Sequence, residues 1–431
     1  MIIEIEVFQE NQWKRIGCWD VTIGEENRGF SGKGVWRYDM LYALEHLHSL
    51  DKAVSLSLPI TLDSIAITHW PAFLLDMLPG GPARDQWLEL LKISNGPGAD
   101  APLLVHAGRA PVGTLRVKHE TWVGKARGFE RSEIIDQQHH FLLYMRDTFT
   151  QQLHLPQDTP YSAADSQGAA PKYLLTQDHS GLWWAEGTLP DSKCAKFWLV
   201  KFPRGQKTRK DILVLQGEAR LHAVAKACGA LVSEAPILEG DVLFIPRFDR
   251  EVTASHKVRR LGLETLCSVL GVAEFGHRFF HEDLCTGIAQ FSSDPQADLL
   301  EYVRRDILNI ALANSDNHAR NTSLIKVGGA IRISPIYDFA PMELDPEGIA
   351  RAITWKNERL YAPDWIRIAT FLSTWVPRKV TCKLYAEMAT HIAKLERTMK
   401  NAQVPKEIMQ HCKPRWPTLL QSLQEASREQ A

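Results

Sequence analysis

The chain has 431 residues, 45% of them apolar and 23% charged, with 50 basic against 51 acidic side chains and a formal net charge of −1. That length and composition predict a folded globular protein of two or three domains, at about 150 residues per domain, and exclude long disorder. The charge balance excludes a general pull toward nucleic acid or an anionic membrane; the one basic cluster, Lys201, Arg204, Lys207, Arg209 and Lys210, reads as a solvated loop.

The first 120 residues read as a small mixed unit. Ile3 to Phe8 alternates like a strand, and Pro71 to Gly81 is a short apolar stretch ending in turn residues. Arg84 to Leu91 has helical spacing, and Gly113 to Val117 is a strand. Residues 118–160 are polar, with one helical stretch. From 161 to 250 the pattern is strand-rich: Lys172 to Leu175, Phe197 to Phe202, and Asp241 to Ile245 closed by Pro246. Asp211 to Cys228 interrupts these with helical spacing. Beyond residue 260 the chain is helical apart from one hairpin, and Thr381 to Met399 reads as a single amphipathic helix. A strand-rich lobe followed by a helical lobe implies a cleft between them, a common place for a ligand.

The seven cysteines, at 18, 194, 228, 267, 285, 382 and 412, form no Cys-x-x-Cys pair, which argues against a zinc knuckle. Several lie in apolar helical stretches and are expected to act as small hydrophobes in a reducing compartment. Met1 to Val7 alternates charged and apolar residues without a basic leader region. No apolar run approaches the roughly 20 residues that span a bilayer. A cytoplasmic protein with no membrane partner is the expectation.

The chemistry is carried by Asn314-Ser315-Asp316-Asn317-His318-Ala319-Arg320-Asn321. Before it, Leu300, Val303, Ile307, Ile310 and Ala311 mark a helical stripe that should end near Asn314. Asp316 then falls in a polar turn just beyond a rigid element. Asp316 and Asn321 have the spacing of a kinase catalytic loop, where the Asp takes the substrate hydroxyl proton and the Asn holds magnesium. Alone, such a sequence is also an ordinary capped turn. The residues beyond Asn321 weigh against that reading. Ser323 to Val327 and Ala330 to Ser334 flank Gly328-Gly329, the signal of a two-residue hairpin turn. If Val327 pairs with Ala330, Asn321 lies opposite Ile336, and Tyr337-Asp338-Phe339 returns beside the turn. Asp338 is then a second magnesium ligand, in the role of the Asp in Asp-Phe-Gly.

Upstream, Phe197, Leu199 and Lys201 share one strand face, and a lysine among apolar neighbours calls for an anion. Glu218 lies on the stripe of Leu215, His222 and Ala225. Lys201 with Glu218 matches the strand-lysine and helix-glutamate pair of kinases; an edge-strand lysine and a solvated glutamate are the alternative. Ser166 to Lys172 holds one glycine, Gly168, before a strand. It reads equally as a phosphate-covering loop or as a plain strand entry.

With these residues in hand the chain resembles the HipA family, the kinase toxins of bacterial HipBA toxin–antitoxin modules. The likeness covers Phe73 to Arg84, Pro102 to Val117, Gly168 to Leu175, Trp198 to Pro203, Arg247-Phe248-Asp249-Arg250, His281-Glu282-Asp283, Ser315 to Leu324 and Ser334 to Phe339. It implies an α+β architecture with an atypical protein-kinase fold: an N-terminal subdomain over 1–120, an N-lobe with phosphate loop and hinge over 121–250, and a helical C-lobe with the catalytic loop over 251–431. It also implies ATP- and magnesium-dependent phosphorylation of a protein Ser or Thr. Asp316 would be the catalytic base, and Asn321 and Asp338 the magnesium ligands. Gly168, Lys172, Lys201, Glu218, Arg247, Phe248 and His318 would serve ATP, with Arg247 and Phe248 lining the adenine hinge. Family targets include aminoacyl-tRNA synthetases, and the usual partner is a HipB-like helix-turn-helix antitoxin, through which DNA is reached indirectly.

Two positions depart from the family pattern. Pro246 stands where the hinge usually carries Glu, and proline has no N–H to offer. Ser166 is the nearest match to a serine that family members autophosphorylate, but Asp165 lies closer to that position. The alternative to a kinase toxin is a catalytically silent nucleotide-binding protein acting as antitoxin or co-repressor. A small-molecule kinase would share the same catalytic residues.

Overall fold

A computed structural model describes residues 1–108, 112–118, 126–142, 144–145, 171–204, 207–359 and 362–429. Asp165, Ser166 and Gly168 lie outside the described residues. The chain divides into two compact units, residues 1–204 with 244–275, and residues 205–243 with 276–431. Each of these units is built from sequence-distant segments. In the first unit the buried Glu264 accepts from Ser55 Oγ (2.5 Å), Leu56 N (3.0 Å) and Ser268 Oγ (2.8 Å), and Asp76 accepts from Thr265 Oγ1 (2.8 Å). Residues 244–275 are thereby tied to the N-terminal subdomain.

That subdomain is built on an antiparallel sheet in the order β4-β3-β2-β1-β5, with β1 Ile2–Gln9, β2 Gln12–Val21, β3 Gly34–Tyr38, β4 Ile65–Ile67 and β5 Leu115–Val117. The alternation predicted for β1 holds: Ile3, Ile5 and Val7 are buried. On the opposite face Glu4 and Glu6 pair with Lys118 (2.6 Å) and Arg116 (2.7 Å). The core beneath includes Trp19, Trp36, Trp70 and Leu74. Gly17 and Gly34 leave room for two of those rings, since a Cβ there would stand 2.7 Å from Trp36 and from Trp19 respectively. The stretch from Pro71 contains the short helix Ala72–Asp76, and Gly81–Leu91 is helical.

The second sheet region of this unit has β6 Lys172–Asp178 paired antiparallel with both β7 Trp183–Ala185 and β8 Cys194–Lys201. The predicted strands of 172 and 197 are both present and both longer than the apolar runs that signalled them.

The second unit is helical apart from the hairpin Ser323–Val327 and Ala330–Ile333 and short strands. Helix Arg209–Ala227 starts at a reciprocal cap, Thr208 N to Asp211 Oδ2 at 2.8 Å and Asp211 N to Thr208 Oγ1 at 3.3 Å. The central helix Pro295–Ala311 is capped by Asp294 and buries Leu299, Val303, Ile307 and Leu308. The helix expected over Thr381 to Met399 is two, Arg378–Ala393 and Leu395–Asn401. No Gly or Pro marks the break at Lys394. Ile392, Leu395 and Met399 around it are buried. Two more helices, Lys406–Cys412 and Trp416–Arg428, complete the unit's C-terminal part.

All seven cysteines are buried and free. The basic cluster Lys201 to Lys210 is not one patch: Lys201 is buried, Lys207 pairs with Asp241 at 3.2 Å, and Arg209 pairs with Glu407. Among the described residues no helix is long and apolar enough to cross a membrane.

Candidate active site

The site of the second unit starts where the central helix stops. The helix ends at Ala311, whose carbonyl accepts from Trp416 Nε1 (2.8 Å). Ala313, fully buried, takes φ +59°, a left-handed conformation that costs a residue with a Cβ free energy. This sharp turn re-aims the chain, and Asn314 N closes it on Asn309 O at 2.9 Å. Asp316 comes next. Asn321 Nδ2 donates to the Asp316 carbonyl at 2.8 Å, so the five-residue spacing closes a compact loop and turns the Asn321 Oδ1 to the other side. His318 Nε2 stands 3.4 Å from Asp316 Oδ1.

The hairpin has the predicted register. Val327 faces Ala330 and Leu324 faces Ile333, and Ser334 N bonds Ser323 O at 2.9 Å. Gly328 and Gly329 supply the positive φ values, +58° and +85°, that its turn demands. Beyond the ladder Tyr337 Oη contacts Ser323 Oγ (2.6 Å) and donates to Arg320 O (2.8 Å). The returning segment therefore lies against the loop of Asp316. Asp338 takes φ +48°, and its neighbours Tyr337 and Phe339 line a narrow cleft with Asp316, Asn317, Asn321 and Asp306.

Charges buried inside the unit hold these pieces. Arg305 Nε donates to Glu301 at 2.8 Å and its Nη2 donates to Ser334 O at 2.6 Å. Glu301 also accepts from Leu231 N (2.9 Å), and Leu231 O accepts from Ile336 N (2.9 Å). Asp298 accepts from Ile333 N (2.9 Å) and pairs with Arg332 (3.0 Å). The returning strand is thus bolted to the central helix just before Asp338. Sequence reasoning followed only the apolar stripe of this helix. Glu301 with Arg305, an acid four residues before a base, was the available signal for its second function.

In the first unit Lys201 and Lys172 are both buried, at 6% and 7% exposure, and are direct cross-strand partners. Their side chains share one face with Cβ atoms about 5 Å apart. Glu218 is half-buried on helix Arg209–Ala227 of the second unit, on the turn next to the buried Leu215 and Leu221. Arg247 has its guanidinium committed to the buried carboxylates of Glu186 and of Asp249 (2.6 Å), and Arg250 joins Asp249 at 2.8 Å. Asp249 also accepts from Gly113 N at 2.7 Å. Burial pushes the Asp249 carboxyl up, but Arg247 and Arg250 outweigh it and hold the group well below the usual carboxylate range. The Arg247 guanidinium is thus held by carboxylates of the chain, and the Arg247 backbone N–H donates to Phe197 O at 3.0 Å. Phe248 is half-buried beside it.

The Asp338 carboxylate and the Asn321 amide oxygen are hard donors of the kind that magnesium would take. Among the described residues no cluster of three or more His, Cys, Asp or Glu forms a metal cage on its own.

Residues 164–402 match the HipA-like C-terminal domain, and residues 16–118 match the HipA N-terminal domain. The chain belongs to the HipA family. The fold agrees across the whole HipA chain: a structure of the Shewanella oneidensis MR-1 toxin–antitoxin complex of HipA, HipB and operator DNA is similar at a TM-score of 0.66 and 16% identity, covering 98% of this chain and 97% of that one. The Helicobacter pylori proinflammatory kinase CtkA is more distant, at a TM-score of 0.35 and 14% identity over 54% of this chain and 87% of that one. A Sinorhizobium fredii protein provisionally named kinase Y4mE is 29% identical over 103 residues, 22% of this chain. The chain spans about a quarter of that relative's length, 24%.

Proposed function

We propose that this HipA-family protein is an ATP- and magnesium-dependent serine/threonine protein kinase acting as the toxin of a HipBA-like module. The observation that carries the reading is the loop in which Asn321 closes on the Asp316 carbonyl at 2.8 Å while Tyr337 brings the Asp338 segment back against Arg320. Asp316 accepts the proton of the acceptor hydroxyl. His318, 3.4 Å from its carboxylate, orients that group. Asn321 Oδ1 and Asp338 hold magnesium, which would neutralise charge on the transferring phosphoryl group. Lys201 and Lys172 bind phosphate. Adenine recognition falls to Phe248 and to backbone carbonyls of the hinge, since Arg247 is engaged elsewhere.

The kinase name of the Y4mE protein is in keeping with this reading. A HipB-like helix-turn-helix antitoxin is the proposed partner, by analogy with the HipA–HipB–operator complex, and DNA is reached through it. A translation component such as an aminoacyl-tRNA synthetase is the proposed target.

Purified protein should transfer labelled phosphate from ATP to itself or to casein. Asp316→Ala removes the general base and should cost roughly 10²- to 10⁴-fold in rate, and Asp338→Ala should abolish magnesium-dependent turnover. Full activity in both variants would sink the proposal.

A further inference from the structure

The segment after Asp338 is fastened to the catalytic loop by the side chain of Asn317. Its Oδ1 accepts from Ala352 N (3.1 Å) and Ile353 N (3.2 Å), and its Nδ2 donates to Ile353 O (3.0 Å). One side chain thus imitates a strand partner for residues 352–353, immediately beside Asp316. On the segment's other edge His281 N bonds Thr354 O at 3.0 Å. At its root Arg351, almost wholly buried, donates to Asp306 Oδ1 (2.5 Å) and to Glu358 Oε1 (2.5 Å). Trp355 Nε1 donates to Asp306 Oδ2 (2.8 Å), and Ile353 and Trp355 are buried. Arg351 thus has two carboxylates of the same chain as partners.

We propose that Asn317 is a positioning residue: its side chain ties the segment 351–354 to the turn of Asp316, so that the base and the wall of the acceptor cleft are held together without a covalent modification. This rests on the phosphotransfer reading above. The Asn317 amide satisfies three backbone groups of a half-buried segment that would otherwise need water or their own ladder, and Arg351 fixes the segment's register on the central helix through Asp306.

The test uses the full chain. Asn317→Ala should free the amides of Ala352 and Ile353, read as faster hydrogen exchange at those positions. It should lower kcat for transfer to casein, or to the chain itself, by roughly 10- to 100-fold, the cost of a small misplacement of reacting groups. KM for ATP should stay within about threefold, because the clamp holds the base rather than the nucleotide. Asn317→Asp keeps the acceptor atom for both amides and should restore much of their protection. Should Asn317→Ala fail to fold, Asn317→Ser carries the same comparison. Unchanged exchange at 352–353, unchanged kcat, or loss of ATP binding in step with kcat would each overturn the positioning role. Wild-type protein that transfers no phosphate at all would overturn the kinase reading instead, while exchange still reports whether the clamp exists.

Discussion

Asp306 gathers the buried charges in the interior of the second unit. It is buried and receives Arg351 at 2.5 Å, His281 at 3.2 Å and the Trp355 indole at 2.8 Å. Burial pushes its carboxyl up, but Arg351 and His281 outweigh that and hold it well below the usual carboxylate range. A depressed folded value contributes stability above the unfolded carboxylate pKa, near 3.9, and that contribution is lost as pH falls through the folded value. Asp249 in the other unit behaves alike. Both units should therefore lose stability as pH drops below about 4, and a urea titration followed at pH 6 and pH 3 checks this. Asp306→Asn leaves Arg351 and Glu358 without their third member and should destabilise the unit by about 3 kcal/mol, seen as a lower urea midpoint. A midpoint unchanged from wild type would show the network to be unimportant.

At the scale of elements, the hairpin was legible in advance because its turn is local. Two glycines between apolar runs leave few registers, and Val327 opposite Ala330 sets where Tyr337 arrives. The Asn317 clamp was not legible, since nothing in the sequence around 317 points to residues 352 and 353. Helix Arg209–Ala227 shows the same limit. Gly217 is buried where a Cβ would stand 2.5 Å from Pro341 Cδ, just beyond the Asp338 segment. Gly217→Ala gains helix propensity of nearly 1 kcal/mol but collides with a rigid ring, which typically costs 1–3 kcal/mol in all. We expect net destabilisation and a lowered melting temperature; a stabilised variant would mean that Pro341 yields.

For the whole molecule, the expected cations and the expected metal oxygens fall in different compact units, Lys172 and Lys201 in one and Asp316, Asn321 and Asp338 in the other. Under the proposed function, Lys201→Met should weaken ATP binding at least about tenfold, the worth of one charge-assisted contact. Calorimetric titration with ATP and magnesium measures it. Unchanged affinity would remove Lys201 from the nucleotide site.

The sequence by itself determined the local parts: the strand alternation of β1, the stripe of the central helix, the glycine turn, and the Asp316-to-Asn321 spacing that marks the site. Each comes from residue order over a few positions. Only the tertiary structure decided that Arg247 is held by Glu186 and Asp249, that residues 244–275 join the first unit, that Lys172 stands opposite Lys201, and that Asn317 grips 352–353. Those depend on pairings between sequence-distant groups, where burial makes a polar contact obligatory but does not say in advance which partner will satisfy it.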